Sequence, residues 1–180
     1  MAKIVLIGCT KRKRPNGKEY IARELYDAPK SSFPLKYQYA KSQEPDKIII
    51  LSAKYHVMDT KDEATKYKPY NTTLAYIAPK KRTPDLKILD RQEKIEWAKT
   101  VLKQLNALCN LSNDEFLLVL GKPYYENLIL ETQCDEVKMI KLYIHKYKFP
   151  VEKWCHVSDV MQKNILRMEI DKMKQNELQM

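Results

Sequence analysis

Lys3-Ile-Val-Leu-Ile-Gly8 is a short run of apolar, largely β-branched residues that ends in a glycine. A run without polar alternation is typical of a strand that is buried on both faces of a sheet. The stretches Asp46-Lys-Ile-Ile-Ile-Leu-Ser52 and Glu115-Phe-Leu-Leu-Val-Leu-Gly121 repeat this pattern. The three runs predict a parallel sheet, and the more alternating residues 136–143 predict a weaker fourth strand, with an edge as its candidate place.

The segments between these strands carry helical patterns. In residues 90–109, apolar positions recur at spacings of three and four, a stripe that predicts a core-facing helix. Its members are Ile95, Ala98, Leu102, Leu105 and Cys109. Further helices are predicted at 19–26, 32–43, 124–131 and 157–176. Strands that alternate with helices predict an α/β fold of three layers, with a mostly parallel central sheet of about four strands flanked by helices.

The length and charge of the chain limit the number of domains and the class of binding partner. The 180 residues contain no repeat and no linker, and predict a single domain over residues 1–180. Lys and Arg number 33 against 23 Asp and Glu, which gives a formal charge of +10. Such a charge favours polyanions, nucleic acid first among them. A solvated lysine-rich surface or a membrane-surface protein would give the same count.

Cysteine, histidine and glycine usage excludes several classes of protein. The four cysteines form no C-x-x-C pair, and three lie in or beside apolar runs, which predicts buried free thiols and a cytoplasmic protein. No secretion signal and no membrane-spanning run is found. With three histidines, three glycines and no motif for zinc, dinucleotide or triphosphate, we expect neither a metal nor a cofactor.

Three loops follow the three apolar runs. They are Cys9–Arg14, Ser52–His56 and Gly121–Tyr125; all carry cations, and two carry tyrosines. Because ligands of open parallel sheets bind outside the carboxyl ends of the strands, these loops are expected to form one rim. Cations on that rim would hold phosphates and tyrosine rings would stack on unpaired bases. Ordinary solvated loops are the alternative.

The segment 54–86 has no periodicity and predicts a long functional loop.

Ordered short motifs within residues 3–75 resemble an uncharacterised bacterial and phage family. The family patterns G-C-x-K-x-K, A-R-E-L-Y, I-L-S-A-K-Y-G-L and P-Y-x-x-T-L correspond here to Gly8–Lys13, Ala22–Tyr26, Ile50–Tyr55 and Pro69–Leu74. The family glycine after Lys-Tyr is replaced by His56. The chain is also distantly similar to YaaA-type DNA-binding stress proteins and to the uracil-DNA-glycosylase-like fold, and is similar to the Brig anti-phage DNA glycosylases.

This resemblance implies a DNA glycosylase that excises a modified base, such as glucosylated hydroxymethylcytosine, from phage DNA and leaves abasic sites. Such an enzyme flips the nucleotide, grips its base and stabilises a cationic sugar. Glu24 and Asp59 are the candidate catalytic carboxylates, and Asn71 would read a base edge or position water. A helix-surface ion pair explains Glu24 equally well, and turn formation explains Asp59. Lys54 is an alternative Schiff-base nucleophile.

The residues expected to bind DNA or the base share positions in the three loops or in the family motifs. They are Cys9, Thr10, Lys11, Lys13, Arg23, Tyr26, Ser52, Lys54, Tyr55, His56, Tyr70, Lys122 and Tyr124. Two rival functions stay open. One is a YaaA-like DNA-binding protein without catalysis, and the other is a hydrolase or transferase that acts on free nucleosides.

Overall fold

The structure, a computed structural model, describes residues 1–74, 85–111, 113–130 and 159–179. Its strands are β1 (Lys3–Gly8), β2 (Lys47–Ser52), β3 (His56–Asp59), β4 (Thr72–Thr73), β5 (Lys87–Ile88) and β6 (Glu115–Val119). Its helices are α1 (Ala22–Leu25), α2 (Phe33–Ser42), α3 (Arg91–Leu108), α4 (Lys122–Tyr125) and α5 (Asp159–Gln179), with a π-helical turn at Glu126–Leu130 after α4.

Four strands form the central sheet in the order β3-β2-β1-β6. β1 pairs in parallel with both β2 and β6, whereas β3 pairs antiparallel with β2. β4 and β5 form a separate two-stranded parallel pair. The expected α/β class, with a mostly parallel sheet of about four strands and accompanying helices, is confirmed.

The strand order reverses at β1. From β1 the chain passes to β2 on one side, and it later reaches β6 on the other side. In open α/β sheets, ligands bind outside the carboxyl ends of the strands where the order reverses in this way. The rule therefore points to the residues that follow β1 and β6 as the expected place of a ligand site.

The core explains why the apolar runs became the central strands. Ile4–Ile7 in β1 are fully buried, and Ile48–Leu51 in β2 are buried beside them. From α3, Trp97 and Val101 join the buried stripe together with the predicted Ala98, Leu102 and Leu105, while Ile95 and Cys109 are only half-buried. The indole of Trp97 donates a 2.8 Å hydrogen bond to the carbonyl of Ser52, which fixes α3 against the end of β2.

Several sequence expectations need correction. The helix predicted at 19–26 contains only four residues, because Tyr20 instead exchanges two backbone hydrogen bonds with Tyr67. The segment 54–86 is not structureless, since it contains β3 and β4. Cys9 is half-buried rather than buried, because it lies one residue beyond the end of β1. The predicted strand at 136–143 lies outside the described residues, as do Cys134 and Cys155.

The helices α2, α3 and α5 agree with the sequence patterns. α2 and α3 match the predictions at 32–43 and 90–109 to within one residue at each end, and α5 covers most of 157–176. α3 begins at a capping box in which Asp90 and Glu93 bond each other's backbone N–H. Within the described ranges, no helix combines the length and apolar character that a bilayer crossing requires.

Candidate functional site

A groove of about 500 Å³ lies beside the loop that follows β1. We call it the cationic groove; it is lined by Lys11, Lys13, Arg14, Pro15, Asn16, Pro69, Tyr70 and Asn71. Three of these residues carry a positive charge and none is a carboxylate. Its volume falls in the range of ligand pockets, about 300–1,000 Å³.

Hydrogen bonds fix the loop that forms one wall of the cationic groove. The Thr10 hydroxyl lies 3.0 Å from the Ser31 hydroxyl, and the backbone N–H of Arg14 donates to the carbonyl of Leu25 at 2.9 Å. Arg14 also forms an exposed ion pair with Asp27 at 3.3 Å. The loop is therefore held at several points although it lies outside regular structure.

The opposite wall is held by tyrosines. Tyr20 and Tyr67 exchange backbone hydrogen bonds of 2.9 and 2.8 Å, which tie the segment before Tyr70 to the segment after the first loop. The Tyr55 hydroxyl donates to the carbonyl of Lys68 at 2.8 Å. The Tyr55 ring lies edge-on to the rings of Tyr67 and Tyr70, with centroids 5.0 and 5.3 Å apart. Such edge-to-face pairs orient the rings.

Lys13 lies between the two walls. Its Nζ is 4.1 Å from the centroid of the Tyr70 ring and donates to the carbonyls of Thr10 and Lys11, both at 3.1 Å. Burial lowers the pKa of Lys13, while the charge of Cys9 acts in the opposite direction. Among the described residues, Lys13 has no carboxylate partner. It is thus a half-buried amine on the floor of a cationic site.

A chain of hydroxyl groups runs under the cationic groove. The Ser52 hydroxyl accepts from two backbone N–H groups of the following turn at 3.2 and 3.0 Å, so its own proton is left for the Tyr70 hydroxyl at 2.8 Å. The Tyr26 hydroxyl donates to the sulfur of Met58 at 3.5 Å and therefore accepts from Tyr70 at 2.9 Å. The protons point in one direction, from Ser52 through Tyr70 and Tyr26 to Met58.

Burial sets the acidity of this chain. The pKa values of Tyr26 and Tyr70 are raised well above the ordinary tyrosine range, chiefly because burial disfavours the phenolate, with the charge of Cys9 as the next cause. Both phenols are therefore protonated at neutral pH. They act as hydrogen-bonding supports and not as bases.

The end of β1 contacts α4. The Cys9 thiol forms a hydrogen bond with the Tyr124 hydroxyl, and the Tyr124 ring lies edge-on to Trp97 with centroids 5.6 Å apart. A Cβ atom at Gly8 would lie 3.7 Å from both the Tyr124 ring and the backbone nitrogen of Gly121. Burial and Cys9 raise the pKa of Tyr124. We call Cys9, Tyr26, Ser52, Tyr70 and Tyr124 the strand-end cluster.

Most of the predicted binding residues lie in or beside the cationic groove and the strand-end cluster. Those brought together are Cys9, Thr10, Lys11, Lys13, Tyr26, Ser52, Tyr55, Tyr70, Asn71 and Tyr124. The expectation that Tyr26 stacks on a base is corrected, because its ring is fully buried and offers no face to a ligand. Lys54 is exposed, with its Nζ 5.4 Å from the Tyr55 ring centroid. The side chain of Lys122 lies outside the described part of the structure.

Glu24 and Arg23 lie away from the cationic groove. Glu24 is exposed on α1. Arg23 forms a 2.6 Å ion pair with Glu63 and donates to the carbonyl of Thr60 at 3.4 Å, in a second cavity of mixed charge. The A-R-E-L-Y motif thus places Tyr26 in the strand-end cluster, whereas Arg23 and Glu24 lie outside the cationic groove.

Asp59 also lies away from the cationic groove. Because β3 runs antiparallel to β2, Asp59 pairs with Ile49 in the middle of β2, while His56 pairs with Ser52 at its carboxyl end. Three residues of strand separate these positions, roughly 10 Å at about 3.3 Å per residue. One Asp59 oxygen accepts from the backbone N–H of Lys61 at 2.9 Å, the turn-forming role.

His56 occupies a position that favours glycine. Its φ is +62°, in the left-handed region, at the end of the three-residue turn 53–55 that joins β2 to β3. Three-residue hairpin loops commonly end in such a left-handed residue. The glycine of the resembling family at this place therefore has a backbone reason. Burial lowers the pKa of the His56 imidazole.

Four residues that line the cationic groove were not predicted from the sequence. Arg14, Pro15, Asn16 and Pro69 line the cationic groove but were not proposed as site residues. Pro15 and Asn16, followed by Gly17 at a φ of +93°, carry the signal of a turn, which explains how the chain curves around the groove.

The chemistry available in the cationic groove is limited and specific. Three cations and the amides of Asn16 and Asn71 suit a phosphate-bearing ligand with polar edges. Within the described ranges, no group of three or more histidine, cysteine or acidic residues is placed to hold a metal ion.

The chain belongs to the family of unknown function DUF6884, which matches residues 4–145. No curated protein and no solved structure matches the chain. The matched range contains both walls of the cationic groove and the whole strand-end cluster, so these features lie inside the part of the chain that the family shares.

Proposed function

We propose that this DUF6884 protein binds DNA in the cationic groove, with the sugar-phosphate strand along Lys11 and Arg14 and an unpaired nucleotide reaching Asn71. The observation that carries the proposal is the composition of the groove, which joins three cations, two asparagine amides and a tyrosine, with no carboxylate among its lining residues. Lys11 is exposed and Arg14 half-buried, as phosphate contacts require.

The test of DNA binding is a fluorescence anisotropy titration of the full chain against single-stranded and duplex DNA over a range of salt concentrations. Specific engagement of phosphates gives an affinity whose logarithm falls linearly with the logarithm of salt, by about 0.7–0.9 per phosphate contact. Absence of binding at low salt contradicts the proposal.

We propose base excision as the second candidate, in which the bound nucleotide loses a modified base and an abasic site remains in phage DNA. The observation that favours it is that Asn71 and the half-buried Lys13 line the same groove, so an amide and an amine face one bound nucleotide. The mostly parallel sheet, with its groove outside the strand ends, suits the three-layer, uracil-DNA-glycosylase-like architecture that the resemblance implies.

Mass spectrometry of the bases released from unmodified, hydroxymethylated and glucosylated DNA tests this candidate. Asn71→Ala is expected to lose release, whereas Glu24→Gln and Asp59→Asn, which lie outside the cationic groove, are expected to retain it. Release that depends on either carboxylate overturns the role of the groove. Release from free nucleosides alone identifies the nucleoside hydrolase or transferase instead, and binding without release leaves a DNA-binding protein.

A further inference from the structure

We propose that the Nζ of Lys13 is an amine nucleophile that attacks the C1′ aldehyde of an abasic deoxyribose held in the cationic groove. This inference rests on the proposed DNA binding and adds a second reaction to it. Lys54, considered for this role from the sequence, is exposed beside the Tyr55 ring and does not line the groove.

The position of Lys13 sets it apart from the other cations of the cationic groove. Its Nζ lies 4.1 Å from the Tyr70 ring centroid and 5.9 Å from that of Tyr26, and the side chain is half-buried. Lys11 is exposed, and the Arg14 guanidinium stays protonated and is no nucleophile. Lys13 is therefore the lysine of the groove with the least hydrated amine.

Burial favours the neutral, reactive amine of Lys13, whereas its two carbonyl hydrogen bonds and the Tyr70 ring favour the protonated form. A lysine becomes nucleophilic when it is desolvated, and Lys13 is half-buried in the cationic groove. The titratable groups that face it are Cys9, Tyr26 and Tyr70, and the two phenols stay neutral. Burial lowers the pKa of Lys13, in agreement with the geometry.

The proposed step balances without an oxidant or cofactor. The neutral amine adds to the aldehyde carbon to give a carbinolamine. Solvent protonates the carbinolamine hydroxyl, which leaves as water, and a protonated imine then joins Nζ to C1′. Loss of the C2′ proton to solvent then expels the 3′-phosphate as an anion, which Lys11 and Arg14 are placed to receive. Addition of water to the imine returns the free amine and releases an unsaturated aldehyde on the cleaved strand.

Borohydride trapping on an oligonucleotide with a single preformed abasic site tests this reaction. Reduction of the imine gives a stable secondary amine, visible as a protein–DNA adduct on a denaturing gel. Peptide mass spectrometry of the wild-type adduct is expected to place the sugar remnant on Lys13. Lys13→Arg, which keeps the charge, is expected to lower the adduct yield about tenfold or more, whereas Lys54→Arg, outside the cationic groove, retains it.

The outcomes separate this inference from the proposed function. An adduct that maps to another lysine, or an undiminished yield in Lys13→Arg, overturns the role of Lys13. No adduct, with binding of the abasic oligonucleotide intact by anisotropy, overturns the reaction and leaves DNA binding standing. No binding and no adduct overturns both. The mapping uses the wild-type chain, so it does not depend on how well any variant folds.

Discussion

The thiol of Cys9 and the hydroxyl of Tyr124 form a hydrogen bond across 115 positions of the chain. Cys9 follows β1 and Tyr124 lies in α4 after β6, so the contact joins the ends of two neighbouring parallel strands. It closes the strand-end cluster on the side away from β2. The cationic groove therefore rests on a support that draws residues from both halves of the chain.

Tyr124→Phe is expected to lower the free energy of unfolding by about 1 kcal/mol, because the half-buried Cys9 thiol loses its partner. Urea denaturation measures the change. In a double-mutant cycle, the effects of Tyr124→Phe and Cys9→Ala are expected to be less than additive, since both remove the same contact. Strict additivity would show that the two side chains do not interact.

Ser52→Ala is expected to destabilise the chain by about 2 kcal/mol, because it leaves two backbone N–H groups and the Tyr70 hydroxyl without this partner. Thermal and urea unfolding report the loss. Ser42→Ala, at an exposed position on α2, is the matched control and is expected to change stability by less than about 0.5 kcal/mol. Equal effects of the two changes would contradict the buried hydroxyl chain.

His56→Gly is expected to raise the free energy of unfolding by about 1 kcal/mol, because a non-glycine residue at a φ of +62° carries a steric cost. The control is Lys54→Gly in the same turn, where φ is not positive and glycine only adds freedom to the unfolded chain. That control is expected to destabilise. A loss of stability in His56→Gly would show that its imidazole makes a contact worth more than the strain.

The His56 imidazole also predicts a pH dependence. Burial lowers its pKa in the folded chain, so between that value and the unfolded pKa of about 6.5 the unfolded chain binds more protons. The resulting loss of stability is small above pH about 6.5, grows as the pH falls from there toward the folded-state pKa, and is constant below that pKa. Compared with His56→Asn, which tolerates the same backbone, the wild type is expected to lose stability between pH 7 and 5. A constant difference would contradict the shift.

The central strands could be read from the sequence because each is an apolar run without alternation. Ile4–Ile7 and Ile48–Leu51 are buried, as expected for central strands whose sheet is covered on both faces. β3 was missed because it has only four residues and depends on a turn that ends at His56 in a left-handed conformation. Because His56 and not a glycine occupies this position, the sequence does not mark the turn.

The candidate site was foreseen in part. Strand-end positions led to Cys9, Lys13, Ser52 and Tyr124, because parallel strands end at a common edge. The sequence does not show that Asp59 lies away from that edge, because the reversal of the chain into β3, which carries it back along β2, leaves no periodic signal. The sequence also does not show that Tyr26 is buried while Glu24 is exposed. That difference depends on where the short helix α1 begins, and the backbone pairing of Tyr20 sets its start.

The cationic groove is tested most directly by comparing the DNA affinity of Lys11→Glu with that of Lys103→Glu in an anisotropy titration over several salt concentrations. Both changes alter the net charge equally, and Lys103 is exposed on α3 outside the groove. We predict that Lys11→Glu weakens binding about tenfold and lowers the salt slope by about 0.7, the loss of one phosphate contact, while Lys103→Glu binds nearly as the wild type does. Equal weakening by the two changes would contradict a DNA site in the groove.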